Sequence, residues 1–358
     1  MKHTLNSVAA MRQLDQSRMI DSITSLNLQC RQVWPEVKNI SWPTRLSGCD
    51  NIVLNGMGGS GLAAHVIQSL FRDQLCVPFD IVHGYELPKT VGPKTLYIAV
   101  SYSGNTEEPL ATLPIARRRG ARVLAITSGG KLAKTARRQK IPTYIFAELH
   151  NPCGQPRMGL GYNLTALLAI LNRLGYIKIT DTEFEQSLTA LNRASRRFDI
   201  AKSVADNPAK RVASDVNGRI PIIVGSEFLE GNAHIMSNQI NENGKNFATY
   251  FVVPELNHHL LEGLENPAVR VKGLHFVFLE STLYDERNRR RIGITKQIIA
   301  RLGGRSSSYR MTGSSRLSQV LEAVCFGSYV SYYIAMLNDL NPSPIPWVDY
   351  FKKCLAKP

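Results

Sequence analysis

Two parallel sheets, each covered on both faces by helices, are the α/β architecture expected of this chain, on three grounds. Short apolar runs, "NIVLN" (51–55), "FDIVH" (79–83), "TLYIAV" (95–100), "ARVLAIT" (121–127) and "PTYIFA" (142–147), read as strands. Between them lie the helix-like stretches "GLAAHVIQSLFRDQ" (61–74), "NTEEPLATLPIARRRG" (105–120) and "KLAKTARRQK" (131–140). Strands that alternate with helices imply crossover connections, hence a parallel sheet buried on both faces. The order then restarts. "RIPIIVGSEFLEGNAHIMSNQI" (219–240) repeats the strand, Gly-Ser, helix pattern of "NIVLNGMGGSGLAAHVIQSLF" (51–71), and "LHFVFLESTLYDERN" (274–288) follows "TLYIAVSYSGNTEEP" (95–109) in outline. Thirdly, 358 residues suffice for two cores.

Taken in order, residues 1–48 have helix-like spacing and end near Trp34, Pro35, Trp42 and Pro43, which suggests a helical lead-in packed on something later. The first sheet domain covers 49–178 and closes with "NPCGQPRMGLGY" (151–162) and the apolar helix "NLTALLAILNRLGY" (163–176). A polar helical connection follows over 179–208. The second domain, with a C-terminal segment, covers 209–358, and its first helix is predicted to begin about Glu227. This copy lacks the glycine cluster and "SGNT" of the first, so only the first half binds a ligand in that manner.

A hydrophobic content of 44% with 20% charged residues excludes disorder, collagen-like repeats and coiled coil. Nowhere do 18 apolar residues run together, and the N-terminus mixes charges and amides through what would be a signal peptide's core, so a cytoplasmic protein without a membrane span is expected. The six cysteines form no C-x-x-C pair, which argues for reduced thiols and against a zinc site or disulfide framework. The net charge of +15 favours anionic partners. The clusters "RRRG" (117–120), "ARRQK" (136–140) and "ERNRRR" (286–291) lack interleaved aromatics and read as solvated faces, not a nucleic-acid surface.

The chemistry concentrates in "SYSGNTEEP" (101–109). In a parallel sheet, ligands gather beyond the carboxyl ends of the strands, where helix N-termini present free N–H groups. Ser101, Ser103 and Thr106 supply hydroxyls there, Gly104 allows close backbone approach, and the next helix adds its positive end, which together make a phosphate cradle without a lysine. The bland reading is helix capping by Ser103 or Asn105 with Glu107 and Glu108 in the first turn; it leaves the paired hydroxyls and the glycine unexplained. "GMGGSG" (56–61) formally fits a dinucleotide fingerprint, but the expected acidic residue is misplaced, with Asp80 at the start of the second strand. Gly58, Gly59 and Ser60 are therefore assigned to the sugar part of a ligand whose phosphate sits in the neighbouring loop.

These residues resemble the sugar-isomerase (SIS) domain proteins, and within them the bifunctional phosphoglucose/phosphomannose isomerases. The likeness runs from about Asn51 to the end and is carried by "GMGGSG", "SYSGNTEE", "QPR" (155–157), "QINENGK" (239–245), "PELNHH" (254–259) and "NPSPIPWVDYFKK" (341–353). It implies two tandem SIS domains, each a flavodoxin-like three-layer sandwich, in a homodimer that needs no cofactor or metal and interconverts fructose 6-phosphate with glucose 6-phosphate or mannose 6-phosphate.

By resemblance Glu242 is the base that moves a proton between C1 and C2. Its own setting also invites a functional account, because a carboxylate near a helix C-terminus is disfavoured by the macrodipole; the bland alternative is a surface glutamate paired with Lys245. His258 matches the family's ring-opening histidine, which belongs to the partner subunit's site; unaided, it reads as a structural hydrogen bonder. Arg157 would stabilise the enediolate, and otherwise is an ordinary surface arginine. Lys352, with Lys353 as the alternative register, resembles the C-terminal lysine that closes the site.

Three departures stand out. "NHHLLEG" replaces the family's usual "NHNE", losing an acidic neighbour of His258, with Glu262 the next carboxylate along. "NPSP" replaces "DPTP" and keeps in Ser343 the hydroxyl implicated in accepting mannose-type substrates. Gly244 stands where alanine is usual, which is expected to loosen the helix end. The rival reading is a non-catalytic SIS module that binds a sugar phosphate to regulate a partner; it needs the hydroxyl loop but neither Glu242 nor His258.

Overall fold

The computed structural model describes residues 4–267 and 271–355. The lead-in forms three helices, α1 (Val8–Leu14), α2 (Met19–Thr24) and α3 (Leu26–Lys38). The first sheet follows as β1 (Asn51–Asn55), α4 (Gly59–Leu70), β2 (Phe79–Val82), β3 (Thr95–Ser101), α5 (Glu107–Arg118), β4 (Arg122–Thr127), α6 (Gly130–Arg138) and β5 (Thr143–Ile145), then α7 (Leu160–Arg173). All its pairings are parallel, in the order β2-β1-β3-β4-β5. Every residue of β3 is buried, as expected of a central parallel strand with helices on both faces.

Helix α8 (Asp181–Phe198) lies within the connection expected over 179–208, and a separate helix, α9 (Pro208–Val216), begins at its end. The break has a local cause. Asn207 accepts from the N–H groups of Ala209 and Lys210, both at 3.0 Å, with Pro208 in the first position of the new helix. The second sheet is built from β6 (Ile220–Ser226), α10 (Glu230–Glu242), β7 (Thr249–Val253), the single turn α11 (Leu256–His259), β8 (Leu274–Glu280), α12 (Glu286–Arg301) and β9 (Arg305–Arg310), also all parallel, in the order β7-β6-β8-β9. Helix α10 begins at Glu230, after a 3₁₀ turn over Glu227–Leu229, and not at Glu227.

Helices α13 (Arg316–Leu337) and α14 (Pro346–Leu355) complete the chain. By length and composition α13 could cross a membrane, but its apolar stretch is wholly buried against α8, α9, α10 and α2. It is apolar on every side because protein surrounds it on every side.

The two halves share one core. Helix α4 of the first packs on α10 of the second so closely that a Cβ on Gly231 would lie 2.6 Å from the backbone of His65 and Val66. The lead-in is part of the same core: Trp34 stacks on Phe184 of α8 at 4.1 Å and donates to Asp181 at 2.8 Å. Lys210, fully buried, donates to the carbonyls of Leu5, Ile200 and Lys202 and so ties the first residues to α9.

Candidate active site

At the carboxyl end of β3 the chain turns through Gly104, whose φ is +69° and whose missing Cβ would sit 1.9 Å from the Gly129 carbonyl. Only glycine fits there. The turn leads into α5 with Thr106 at the N-cap, yet no side chain caps the helix, because the Thr106 hydroxyl pairs with that of Ser101 at 2.7 Å. Neither Ser103 nor Asn105 caps it: Ser103 is exposed and its hydroxyl accepts from the Asn105 N–H at 3.3 Å. Hydroxyls and first-turn N–H groups therefore face the same end of the sheet, an arrangement suited to an anion.

Residues 56–61 lie beside this loop. Gly58 takes φ +51° to start α4, and Gly59 backs onto the Arg157 backbone, with 3.5 Å between its would-be Cβ and the Arg157 Cα. Ser60 is turned inward. Its Oγ accepts from the Tyr102 N–H at 3.2 Å and the Asn163 amide at 3.4 Å, so it joins two loops and lines no open space.

The second half carries a loop of equal length between β8 and α12, and carboxylates hold its anion positions. Glu280 stands where Ser101 does, accepting from Lys296 at 2.6 Å and Ser308 at 2.7 Å; Asp285 stands where Thr106 does and caps its own helix through the Arg287 N–H at 2.8 Å. Two negative side chains make this loop a poor host for phosphate.

Arg157 is 8% exposed, far from the ordinary surface arginine of the bland reading. Its guanidinium is fixed by four acceptors: Asn243 Oδ1 on Nε at 2.7 Å, Gln155 Oε1 at 2.8 Å, and the carbonyls of Pro342 at 3.1 Å and Ser343 at 2.7 Å. The carboxylate of Glu242, the last residue of α10, lies 3.9 Å from that Nε and is 35% exposed. The pairing with Lys245 is absent in the expected form: the Lys245 ammonium donates to the main-chain carbonyls of Glu242 and Pro342. Burial raises the Glu242 pKa above the usual carboxylate value, opposed by Arg157, Lys245 and Lys352. Burial likewise lowers Lys245 to about 8, helped by Arg157.

Lys352 lies on α14, exposed but close enough for its charge to act on Glu242, while Lys353 does not feature there. No residue of α14 is buried, and Trp347, Tyr350 and Phe351 are more than half exposed. Ser343 is 2% exposed, and its hydroxyl has no partner among the described residues. His258 is exposed on α11, which packs on β7; its ring makes no hydrogen bond among the described residues and stands apart from the Arg157 cluster. Glu262 is exposed in the turn after it.

The comparisons decide the family. A bifunctional phosphoglucose/phosphomannose isomerase of Caldicellulosiruptor bescii is 34% identical over 95% of this chain and 99% of its own length, and one of Thermoplasma acidophilum is 31% identical over 92% and 100%. This chain belongs to that family. A model of the SIS domain matches residues 45–171, and a model of the bacterial phospho-glucose isomerase C-terminal SIS domain matches 205–355. Among solved structures, a hypothetical protein of Thermus thermophilus superimposes with a TM-score of 0.76 at 18% identity, covering 98% of this chain and 94% of its own, which shows the shared fold.

For a phosphoglucose/phosphomannose isomerase family member, the chain supports its candidate arginine with residues that the motifs did not single out. Asn243 orients the guanidinium and is itself held by Ser331 at 3.2 Å. Gln29 of the lead-in donates to the carbonyls of His150 and Met158 and accepts from the Gly161 N–H, which fixes the loop carrying Arg157. Asn243 sits inside "INENGK" and was open to selection as the neighbour of Glu242; Gln29 has no sequence signal. Gly244 also has a packing role, contrary to the expected loosening: a Cβ would lie 2.7 Å from the Ile240 carbonyl and 3.1 Å from Ile334 of α13.

Proposed function

We propose that this isomerase interconverts fructose 6-phosphate with glucose 6-phosphate or mannose 6-phosphate through an enediolate, with Glu242 as the base. The observation that carries the reading is the half-buried Glu242 carboxylate held beside a guanidinium whose donors are locked in place. The phosphate rests among Ser101, Ser103 and Thr106 at the start of α5, and Gly58 and Gly59 shape the wall facing the sugar, held from behind by the inward-turned Ser60. Glu242 takes a proton from C1 of the open-chain ketose, the C1–C2 double bond forms, and the C2 carbonyl oxygen gains the charge that Arg157 offsets. A proton passes from O1 to O2 of the enediolate, which moves the charge to O1, and the same carboxylic acid then returns its proton to C2 as the C1 carbonyl forms; the face it reaches sets the glucose or mannose product.

His258 from a second copy of the chain, with Lys352, opens the sugar ring. A homodimer is the arrangement this requires, and it would cover the exposed aromatics of α14. Acting on sugar phosphates, the enzyme is placed in the cytoplasm.

Fructose 6-phosphate in heavy water tests the proposal. Deuterium at C2 of a glucose or mannose product is expected, and Glu242→Gln should lower kcat at least about 10³-fold while fructose 6-phosphate still binds. Binding without exchange in the unaltered protein would favour the regulatory module instead. Full activity in Glu242→Gln would remove this residue from the mechanism.

A further inference from the structure

We propose that the outer face of α6, joined by the arginines at the end of α5, is a cationic track that captures dianionic sugar phosphates and passes them to the hydroxyl loop at its end. The inference rests on the proposed substrate class. Residues 117–140 contain nine lysines and arginines and no carboxylate, and among the described residues none of these nine is in an ion pair. Two serve the fold: Arg119 donates to the carbonyls of Leu87 and Pro88, and Arg122 to those of Arg45, Ser47 and Pro93. The others have no such task beyond the bond of Arg117 to Gln139.

Their placement is directional. Helix α6 buries Leu132 and Ala136 against the first sheet and exposes Lys131, Lys134, Arg137 and Arg138, with Lys140 just beyond its end. Lys131 begins the line at the rim of the hydroxyl loop, where its N–H donates to the Asn105 side chain at 3.2 Å and the next N–H donates to the Gly104 carbonyl at 2.9 Å. At about 1.5 Å rise per residue, Lys131 to Arg138 spans roughly 10 Å of helix axis. That is somewhat longer than the screening length of about 8 Å at physiological ionic strength, so neighbouring charges act together and those at the far end reach the loop mainly at low salt. The cationic face of α6 raises the local concentration of an oppositely charged ligand, against the opposing charge of Glu107 and Glu108 at the start of α5.

The test is the triple charge reversal Lys134→Glu, Arg137→Glu, Arg138→Glu beside the conservative Lys134→Arg, Arg137→Lys, Arg138→Lys. Both should melt as the parent does, since all three sites are exposed. For the parent and the conservative variant, kcat/KM for fructose 6-phosphate should fall steeply with added salt. In the reversed variant it should be about tenfold lower at low salt and nearly flat, with kcat unchanged. Equal kcat/KM and equal salt slopes in the parent and the reversed variant would overturn the track. Calorimetric Kd values for fructose 6-phosphate across the same salt series read the track even if no variant turns over, which separates its failure from that of the isomerase reading. Competition by duplex nucleic acid that exceeds competition by inorganic phosphate at matched charge would also overturn it, by assigning the face to another ligand.

Discussion

Glu242 Oε2 lies 3.9 Å from Arg157 Nε, and that same N–H is already donated to Asn243 Oδ1 at 2.7 Å. The neighbouring residue thus takes the hydrogen bond that would have tied the carboxylate to the guanidinium. The carboxylate keeps the cation's field without a short contact that would hold it in place, a freedom that the proposed base would need to reach carbon. Asn243→Ala is expected to let Arg157 turn toward Glu242 and to lower kcat more than it raises KM, by roughly tenfold or more. Arg157→Lys, which cannot satisfy four acceptors from one ammonium, should cost about 10²-fold in kcat. Steady-state kinetics of the two variants checks both, and unchanged kcat in Asn243→Ala would exclude the positioning role.

The pH profile follows from the same site. Burial raises the Glu242 pKa, and as the proposed base it must be ionised, so the acid limb of kcat/KM should lie above the ordinary carboxylate range. Lys352 opposes that rise, and Lys352→Ala should move the limb to still higher pH. A limb that stays put in this variant would separate Lys352 from Glu242 in the working enzyme.

Ser343 offers a cleaner mutation. Its buried hydroxyl has no partner among the described residues, so Ser343→Ala removes no hydrogen bond and should change stability by less than about 0.5 kcal/mol. If this unpartnered hydroxyl serves the proposed mannose specificity, its loss should lower the rate with mannose 6-phosphate more than with glucose 6-phosphate. Parallel losses on both epimers would deny it a part in specificity.

Lys210 is a matter of folding. Three carbonyls from the lead-in and the α8–α9 corner converge on its ammonium, and burial lowers its pKa to about 8. Lys210→Met leaves those acceptors unpaired and should lower the unfolding free energy by about 3 kcal/mol. Chemical denaturation measures this; a loss below about 1 kcal/mol would mean that the carbonyls find other donors.

Acid should destabilise the fold through its histidines. Burial is the leading cause that lowers His65 and His275 to about 4, and His234 is lowered in the same way. His65 and His83 face each other through their Nε2 atoms at 3.1 Å, and His234 packs on His65. Unfolded, His65, His234 and His275 would each bind a proton near 6.5, so the unfolded chain holds more protons as the pH falls from about 6.5 toward 4. Stability is therefore full above about 6.5 and falls as the pH drops toward 4. His275→Gln should flatten part of that decline in a melting series, while an unaltered pH dependence would show that this histidine is not linked to folding.

Much of this molecule was legible in its residues. The five strands of the first sheet and the restart at β6 and β8 emerge from apolar runs, because strands covered on both faces have no polar side to blur the signal. The hydroxyl loop could be named from its residue types, whereas Arg157 and Glu242 were named chiefly by the resemblance of "QPR" and "QINENGK" to the family's motifs. Other parts were hidden: β9 ("RSSSYR") is a polar edge strand, β7 is only half-buried, and α13, buried on all sides, has no amphipathic period to read.

Two features were written into the linear order of residues: strands alternate with helices twice over, and the hydroxyls and glycines gather in the first copy while the second carries Glu280 and Asp285 at the matching points. Both are properties of near neighbours along the chain. It took the packed fold to bring Arg157 to Asn243, Glu242 and Ser343, to turn Ser60 inward, and to set Gln29 beneath a loop more than a hundred residues away. Such contacts depend on how α4 and α10 pack across the shared core, and burial, which raises the Glu242 pKa and lowers that of Lys245, exists only once that packing has formed.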